Sequence, residues 1–502
     1  MGAIRRVLIA NRGEIAVRII RACRELGIES VAVYSDPDRT ALHTRLADYA
    51  FHIGPAAAVE SYLKIPALLE VAKRAGADAV HPGYGFLSER APFARAVREA
   101  GLIFVGPSPE AIEAMGDKVE ARRRMLAAKV PVVPGSEHPI ESDAEVERLV
   151  RDIGFPVMLK AAGGGGGKGM RLVQDQSGLA GALRAARSEA RSAFGDDRIY
   201  VEKAIIRPRH VEVQVLGDTH GNVIHLYERE CSIQRRHQKV IEESPSLAID
   251  QRTREAMGAV AVQAAKAVDY VGAGTIEFLV DQQRHFYFLE MNTRIQVEHP
   301  ITEMVTGIDL VRAQLEIAAG KPLPVKQADV TQRGWAIECR IYAEDPANGF
   351  LPAPGRIETL QVPTGFGVRD DSGVYEGFEV STHYDPILSK LVAWGATREE
   401  ATQRMLRALH EYVVIGPTVN VAFHRWALRH PLFIAGDIDT GFIEREFTPA
   451  VLQSDAGEQV ALIGAAIAAT ERARARKASA AASPGAPGSR WLEMGRREAL
   501  RG

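Results

Sequence analysis

Glu290-Met291-Asn292-Thr293-Arg294-Ile295-Gln296-Val297-Glu298 carries a chemically able side chain at every second position. Alternate residues of an extended chain share a face, so Glu290, Asn292, Arg294, Gln296 and Glu298 are expected to form one stripe. Two carboxylates, two amides and a guanidinium on one face suit a metal-bound phosphate beside a small anion. The outer face of a polar edge strand would look similar, so the neighbouring sequence has to decide. Residues 274–280 and 285–291 read as the arms of a hairpin around 281–284. A four-residue loop would set Val280 opposite His285 and Glu277 opposite Phe288, leaving Glu277 and Glu290 diagonally adjacent on one face. Carboxylates that close repel unless a cation lies between them. Magnesium, which takes carboxylate oxygens together with nucleotide phosphates, is the expected occupant.

Upstream, Gly163-Gly164-Gly165-Gly166-Gly167-Lys168-Gly169 lies between two apolar, strand-like stretches, 155–161 and 170–173. A backbone without Cβ atoms can wrap its amides around an anion and move at little steric cost, which reads as a flap over phosphates. A flexible linker is also glycine-rich, but linkers seldom join two apolar strands this closely. A Walker A loop ending at Lys168 would need Gly at 162 and Ser or Thr at 169, where the chain has Ala162 and Gly169. Arg235-Arg236-His237-Gln238-Lys239 is a short cationic run that alone reads as a solvated face. In a chain of formal net charge −2 with a phosphate loop, anion binding competes with that reading. His210, after Arg207-Pro208-Arg209, is open between packing and chemistry.

The 502 residues exceed a single core and imply about three domains. Nearly balanced charge argues against a general nucleic-acid or anionic-membrane binder. Cys23, Cys231 and Cys339 are scattered, with no zinc or disulfide spacing, so a reducing, cytoplasmic setting is expected. The longest apolar stretch near the C-terminus, 460–469, is far short of the ~20 residues of a membrane span, so a soluble protein is expected. Residues 1–115 alternate strand and helix, with strands at 7–10, 31–34, 79–80 and 103–105. Ile15, Ile19, Ile20 and Cys23 follow Gly13 at helical spacing. That is a parallel, doubly wound pattern without a Gly-x-Gly-x-x-Gly fingerprint. Strands at 211–216 and 223–227 precede the hairpin, and a third block mixes short strands with a helix at 398–412. Past 446 the chain turns Ala/Arg-rich and contains Ser483-Pro484-Gly485-Ala486-Pro487-Gly488-Ser489, the chemistry of a flexible tail.

Ala10-Asn11-Arg12-Gly13-Glu14-Ile15-Ala16, His81-Pro82-Gly83-Tyr84-Gly85-Phe86-Leu87-Ser88-Glu89, the glycine loop, Gln234 to Lys239, and the stretch 290–303 through Glu298-His299-Pro300-Ile301-Thr302 occur in this order. Together they resemble biotin carboxylase from about residue 4 to 445. The resemblance implies a mixed α/β and α+β chain in three parts. These are a Rossmann-like N-terminal (pre-ATP-grasp) domain at 1–115, an ATP-grasp domain at 116–330 with a mobile glycine-rich lid at about 132–205, and a biotin carboxylase C-terminal domain at 331–445. It implies an ATP-dependent ligase in which bicarbonate is phosphorylated to carboxyphosphate and the carboxyl group passes to biotin on a separate carrier protein. This is the first half-reaction of an acetyl-CoA or other acyl-CoA carboxylase, as in fatty acid biosynthesis. Partners so implied are the biotin carboxyl carrier protein, carboxyltransferase subunits and a second copy in a homodimer, with no nucleic acid and no membrane.

The family's roles fall on this chain residue by residue. Lys118, Lys160, Gly165, Gly166, Gly167 and Lys168 resemble ATP contacts, and Glu202, Lys203 and Ile205 the hinge beside adenine, where the family usually has Leu at the last position. His210 and Gln234 resemble ribose-side contacts, and His237 a neighbour of the phosphates. Glu277, Glu290 and Asn292 match the metal site, for magnesium or manganese. Lys239, Arg294, Gln296 and Val297 match the bicarbonate pocket and Glu298 the general base. Arg340 matches the arginine that stabilises the biotin enolate, and Tyr84 lies near biotin. Bicarbonate needs its remaining proton removed before it attacks ATP, which calls for a carboxylate within hydrogen-bond reach.

Arg340-Ile341-Tyr342-Ala343-Glu344-Asp345-Pro346 has Tyr where stand-alone acetyl-CoA carboxylase subunits have Asn, and in this is similar to larger acyl-CoA carboxylase α-chains. There is no Ala-Met-Lys-Met biotinylation motif, so carrier and carboxyltransferase are expected on separate polypeptides. Alternatives at this stage are a pyruvate-type carboxylase subunit, an ATP-grasp ligase acting on an amine, and a non-catalytic subunit that docks the carrier.

Overall fold

The structure, a computed structural model, describes residues 4–161, 170–194, 197–452 and scattered positions between 464 and 474. It divides into two compact units, 1–447 and 448–502, and every sheet lies in the first. Strands β1 (Arg6–Ile9), β2 (Glu29–Ser35), β3 (Tyr49–Gly54), β4 (Ala79–His81) and β5 (Ile103–Phe104) form a parallel sheet in the order β3-β2-β1-β4-β5. Val7, Leu8 and Ile9 are wholly buried, as a parallel sheet covered on both faces requires. Helix α1 (Gly13–Glu25) lays Ile15, Ile19, Ile20 and Cys23 into the core, at the spacing read from sequence. It buries Glu14 and Arg18 as well, which apolar periodicity does not reveal. Strand β3 escaped the sequence reading because it is an edge strand whose residues are largely exposed.

The chemistry rides on a second, antiparallel sheet. Its strands are β9 (Arg209–Gly217), β10 (Val223–Arg235), β11 (Gln238–Ser244), β12 (Gly272–Val280), β13 (Phe286–Asn292), β14 (Trp335–Tyr342), β15 (Val368–Ser372) and β16 (Ile387–Gly395), in the order β13-β12-β9-β10-β11-β14-β16-β15. Strand β11 pairs with β14, Ile241 opposite Cys339 and Glu242 opposite Glu338, so the third block of sequence extends the same sheet. Helices α2 (His299–Thr306) and α3 (Arg398–Glu411) pack against it. A small antiparallel sheet, β7-β6-β8, is built from β6 (Val157–Ala161), β7 (Met170–Val173) and β8 (Ile199–Lys203) and packs on the helices Asp143–Ile153 and Gln176–Phe194. Lys160 pairs with Met170, so the glycine run does join two hydrogen-bonded strands; the run itself, 162–169, lies outside the described residues.

Two expectations are corrected. The hairpin loop has five residues, 281–285, closed by the Asp281 carboxylate, which accepts from the backbone N–H groups of Gln283 and His285. Val280 therefore faces Phe286, and an irregularity between Glu277 and Phe278 shifts the register again. Glu277 stands directly opposite Glu290, not opposite Phe288. The five-residue stripe also ends early: β13 stops at Asn292, and the chain bends through 293–298 into α2, which Pro300 helps to start. Gln296 and Glu298 reach the site from this bend rather than from a strand face.

Candidate active site

Lys239, at the start of β11, sits at the centre. Its ammonium donates to Glu212 Oε2 on β9 (2.5 Å), Glu277 Oε1 on β12 (2.7 Å) and Glu298 Oε1 ahead of α2 (2.7 Å). Burial alone would strip the charge from Lys239; these three carboxylates hold its pKa well above the ordinary value. Arg340 on β14 donates through Nη2 to Glu298 Oε2 (3.0 Å) and through Nε to Glu242 Oε1 (2.6 Å). Glu298 is thus clamped between two cations, one on each oxygen. Burial raises its pKa, but Lys239, Arg340 and Arg229 reverse this and hold the carboxyl well below the usual range.

Beneath them lies Arg229, fully buried on β10. It donates to Glu212 Oε1 (2.6 Å), Gln214 Oε1 (2.7 Å), Thr302 Oγ1 (2.9 Å), Thr275 Oγ1 (3.2 Å) and Gln296 Oε1 (2.5 Å). Gln296 passes the link on, its amide N–H donating to Glu277 Oε1 (2.8 Å). Arg229 and Glu212 were missed by sequence reasoning. A bulge between His225 and Glu228, with Tyr227 at φ 63°, breaks the two-residue period, so the strand seemed to end at 227. Glu212 and Gln214 did carry a signal: they alternate with Val211, Val213 and Val215, the pattern of a strand with one polar face.

Beyond Glu277, Gln234 Nε2 donates to His210 Nδ1 (2.8 Å), and His210 Nε2 stands 2.9 Å from Glu277 Oε2. Asn292 Nδ2 donates to Glu277 Oε1 (2.8 Å), and Asn292 Oδ1 accepts from Arg294 Nη2 (2.7 Å). Arg294 is drawn to Glu89 through Nε (2.9 Å), a partner outside the sequence-predicted set. Lys160 pairs with Glu202, whereas Lys203 Nζ donates to the carbonyls of Gly154 (3.1 Å) and Phe155 (2.8 Å) and so ties β8 to the start of β6. Ile205 and Val297 are half-buried. Tyr84 is half-buried too, its ring centroid 6.0 Å from Lys390 Nζ. His237 is exposed in the two-residue turn between β10 and β11, where Arg236 and His237 have φ of 50° and 67°. The side chain of Lys118, at the head of helix Lys118–Ala127, and Gly165, Gly166, Gly167 and Lys168 lie outside the described residues.

A divalent cation fits this donor set. Glu277 and Glu290 face each other across adjacent strands with Asn292 beside them, giving oxygen ligands of the kind magnesium takes. The surroundings are acidic, with Glu212, Glu277 and Glu298 on one lysine. Among the described residues no helix is long and apolar enough to cross a membrane.

Three family models cover most of the chain. They are the biotin carboxylase N-terminal domain over residues 3–112, the carbamoyl-phosphate synthase L chain ATP binding domain over 117–326, and the biotin carboxylase C-terminal domain over 338–445. Biotin carboxylase 1 of Bacillus subtilis is 53% identical over 442 residues, 88% of this chain and 98% of that protein. The propionyl-CoA carboxylase alpha chain of Ruegeria pomeroyi is 50% identical over 462 residues, 88% of this chain and 68% of that one. Among solved structures, the biotin carboxylase domain dimer of Hydrogenobacter thermophilus 2-oxoglutarate carboxylase, in complex with MgADP, ADP and bicarbonate, superposes with a TM-score of 0.83. Its sequence identity is 45%, and the match covers 90% of this chain and 99% of that one. With three family models matched in succession over most of its length and a relative 53% identical over 98% of that protein, the chain belongs to the biotin carboxylase family.

Proposed function

We propose that this chain uses ATP and bicarbonate to carboxylate biotin presented by a separate carrier protein, with Glu298 as the base. The observation that carries the reading is the clamp: Lys239 on one Glu298 oxygen and Arg340 on the other. A carboxylate held this way is ionised and weakly basic. An anion entering between Lys239, Arg294, Gln296, Val297 and Arg340 would compete for those cations and release the basicity of Glu298 when the substrate proton is within reach. Arg340, freed from Glu298, is then placed to stabilise the biotin enolate, with Tyr84 beside it.

Magnesium, held by Glu277, Glu290 and Asn292, would supply charge neutralisation on the phosphates. Lys118, Lys160, Gly165, Gly166, Gly167, Lys168, Glu202, Lys203, Ile205, His210, Gln234 and His237 are assigned to ATP, and residues 132–205 to the lid that excludes water. The division at 115, 330 and 445 is assigned with them. A homodimer is assigned by likeness to the biotin carboxylase domain dimer of the Hydrogenobacter thermophilus 2-oxoglutarate carboxylase. A biotin carboxyl carrier protein and carboxyltransferase subunits are assigned as partners and the cytoplasm as the setting. The assigned complex is an acetyl-CoA or other acyl-CoA carboxylase, Tyr342 being similar to the larger acyl-CoA carboxylase α-chains. Fatty acid biosynthesis and a pyruvate-type complex are the competing assignments, decided by which acceptor the reconstituted complex carboxylates. The test of the core reading is ADP release with magnesium and ATP, with and without bicarbonate and free biotin. Release that needs both is expected. ATP binding without turnover, even with biotinylated carrier present, would leave a docking subunit instead.

A further inference from the structure

Behind Arg340, two carboxylates face each other inside the sheet. Glu242 on β11 and Glu338 on β14 are direct partners across the antiparallel ladder, so their side chains leave the same face with Cβ atoms about 5 Å apart. Both are 0% exposed. Glu242 Oε1 accepts from Arg340 (2.6 Å). Glu242 Oε2 and both oxygens of Glu338 have no hydrogen-bond partner among the described residues. The charges facing Glu338 are Glu242 from β11, Lys390 from β16, Arg340 on its own strand and Glu298 from the head of α2. Lys390 is engaged by Glu14 at 3.0 Å, and Arg340 is shared with Glu298. The other face of β14 puts Ile337, Cys339 and Ile341 into an apolar core. Two ionised carboxylates here would repel with only Arg340 against them, and Glu298 shares that cation; one proton between them removes the repulsion and satisfies an orphaned oxygen.

We propose that Glu338 is a positioning residue for the carboxylation reaction: as a neutral acid it donates its O–H to Glu242, which fixes Arg340 and, through Arg340, the Glu298 carboxylate. Burial, with Glu242 next to it, holds the Glu338 carboxyl well above the usual range, the direction this arrangement needs. The inference rests on the roles proposed above for Arg340 and Glu298, so one readout is chosen that needs neither.

Infrared spectra of the full chain carrying Glu14→Gln, which removes the other glutamate raised to about 7 at the head of α1, with glutamate 13C-labelled and no substrate present, should contain a protonated-carboxyl C=O component at neutral pH that Glu338→Gln removes. In turnover, Glu338→Gln, which keeps a neutral donor of the same shape, should hold biotin-dependent kcat within ~3-fold of the parent, whereas Glu338→Leu, with no donor, should lose ~10-fold or more through misplacement of Arg340. The KM for ATP should move little in either. An infrared component that survives Glu338→Gln overturns the proposal, as do equal losses of kcat in the two variants. Should Glu338→Leu fail to fold, the spectrum and the turnover of Glu338→Gln decide.

Discussion

Two side chains at the centre of the site carry opposite risks. Glu298 is proposed for its chemistry rather than its packing: a glutamine there keeps the shape and one acceptor oxygen, for either Lys239 or Arg340, but cannot take a proton. Glu298→Gln is therefore expected to lower bicarbonate-dependent ADP release by at least ~100-fold while the chain folds normally. Turnover near the parent's would remove Glu298 from the proton transfer. Arg229 is the reverse case. Its guanidinium satisfies acceptors on Glu212, Gln214, Thr275, Gln296 and Thr302, all buried. Arg229→Met leaves Glu212 facing Lys239 alone and strands the other acceptors. A loss of ~3–5 kcal/mol in urea unfolding is expected, the scale of a broken buried ion pair. A loss below ~1 kcal/mol would show that water replaces the arginine readily.

At the level of elements, periodicity announced β1, β2, β4, β5, β6, β7, β9, β10, β12 and β13 and the helix at 398–411, and missed β3, β8, β11, β14, β15 and β16. The β12–β13 hairpin was legible as a hairpin, but its register was set by a five-residue loop and a bulge that no two-residue alternation encodes. The stripe from Glu290 to Glu298 named the right residue types for a reason that holds only as far as Asn292. Beyond it, the start of α2 does the placing. Glu242 and Glu338 were invisible because their meaning lies in a pairing between strands almost a hundred residues apart. The β10–β11 turn offers an element-scale test. Both central residues, Arg236 and His237, adopt left-handed backbone angles that glycine and asparagine accept far more readily. Replacing the pair with Asn-Gly should raise stability by about 1 kcal/mol. It should also weaken ATP binding if His237 lies by the phosphates. A neutral or negative change in stability would mean the turn is relaxed as it stands.

Across the whole of residues 1–447, the parallel sheet and the antiparallel sheet are joined through buried charge. Glu14, at the head of α1, meets Lys390 on β16 at 3.0 Å, and Asp371 on β15 is 3.9 Å from the same ammonium. Gly373 allows this approach, since a Cβ there would come 2.6 Å from the Glu14 nitrogen. Burial pushes the Glu14 carboxyl up to about 7 despite Lys390, against 4.5 for the free group. Between those two pH values the folded chain holds a proton the unfolded chain has released, so this group makes stability fall as pH rises. Glu14→Gln should flatten that fall over pH about 4.5 to about 7 when denaturant midpoints of the two proteins are compared. Parallel pH curves would show that Glu14 is ionised throughout. Glu277 and Glu298, held low, act oppositely: their contribution is present above the ordinary carboxylate range and disappears in acid. The shared sheet has a further consequence, for how such a chain can be recombined. Because β11 finds its outer neighbour in β14, a cut near residue 330 would bare the hydrogen-bonding edges of both strands, an invitation to edge-to-edge pairing. Gene fusion and fission are therefore expected to attach or remove partners outside residues 4–447, since a breakpoint between β11 and β14 would split one sheet into two pieces, each with an unpaired edge.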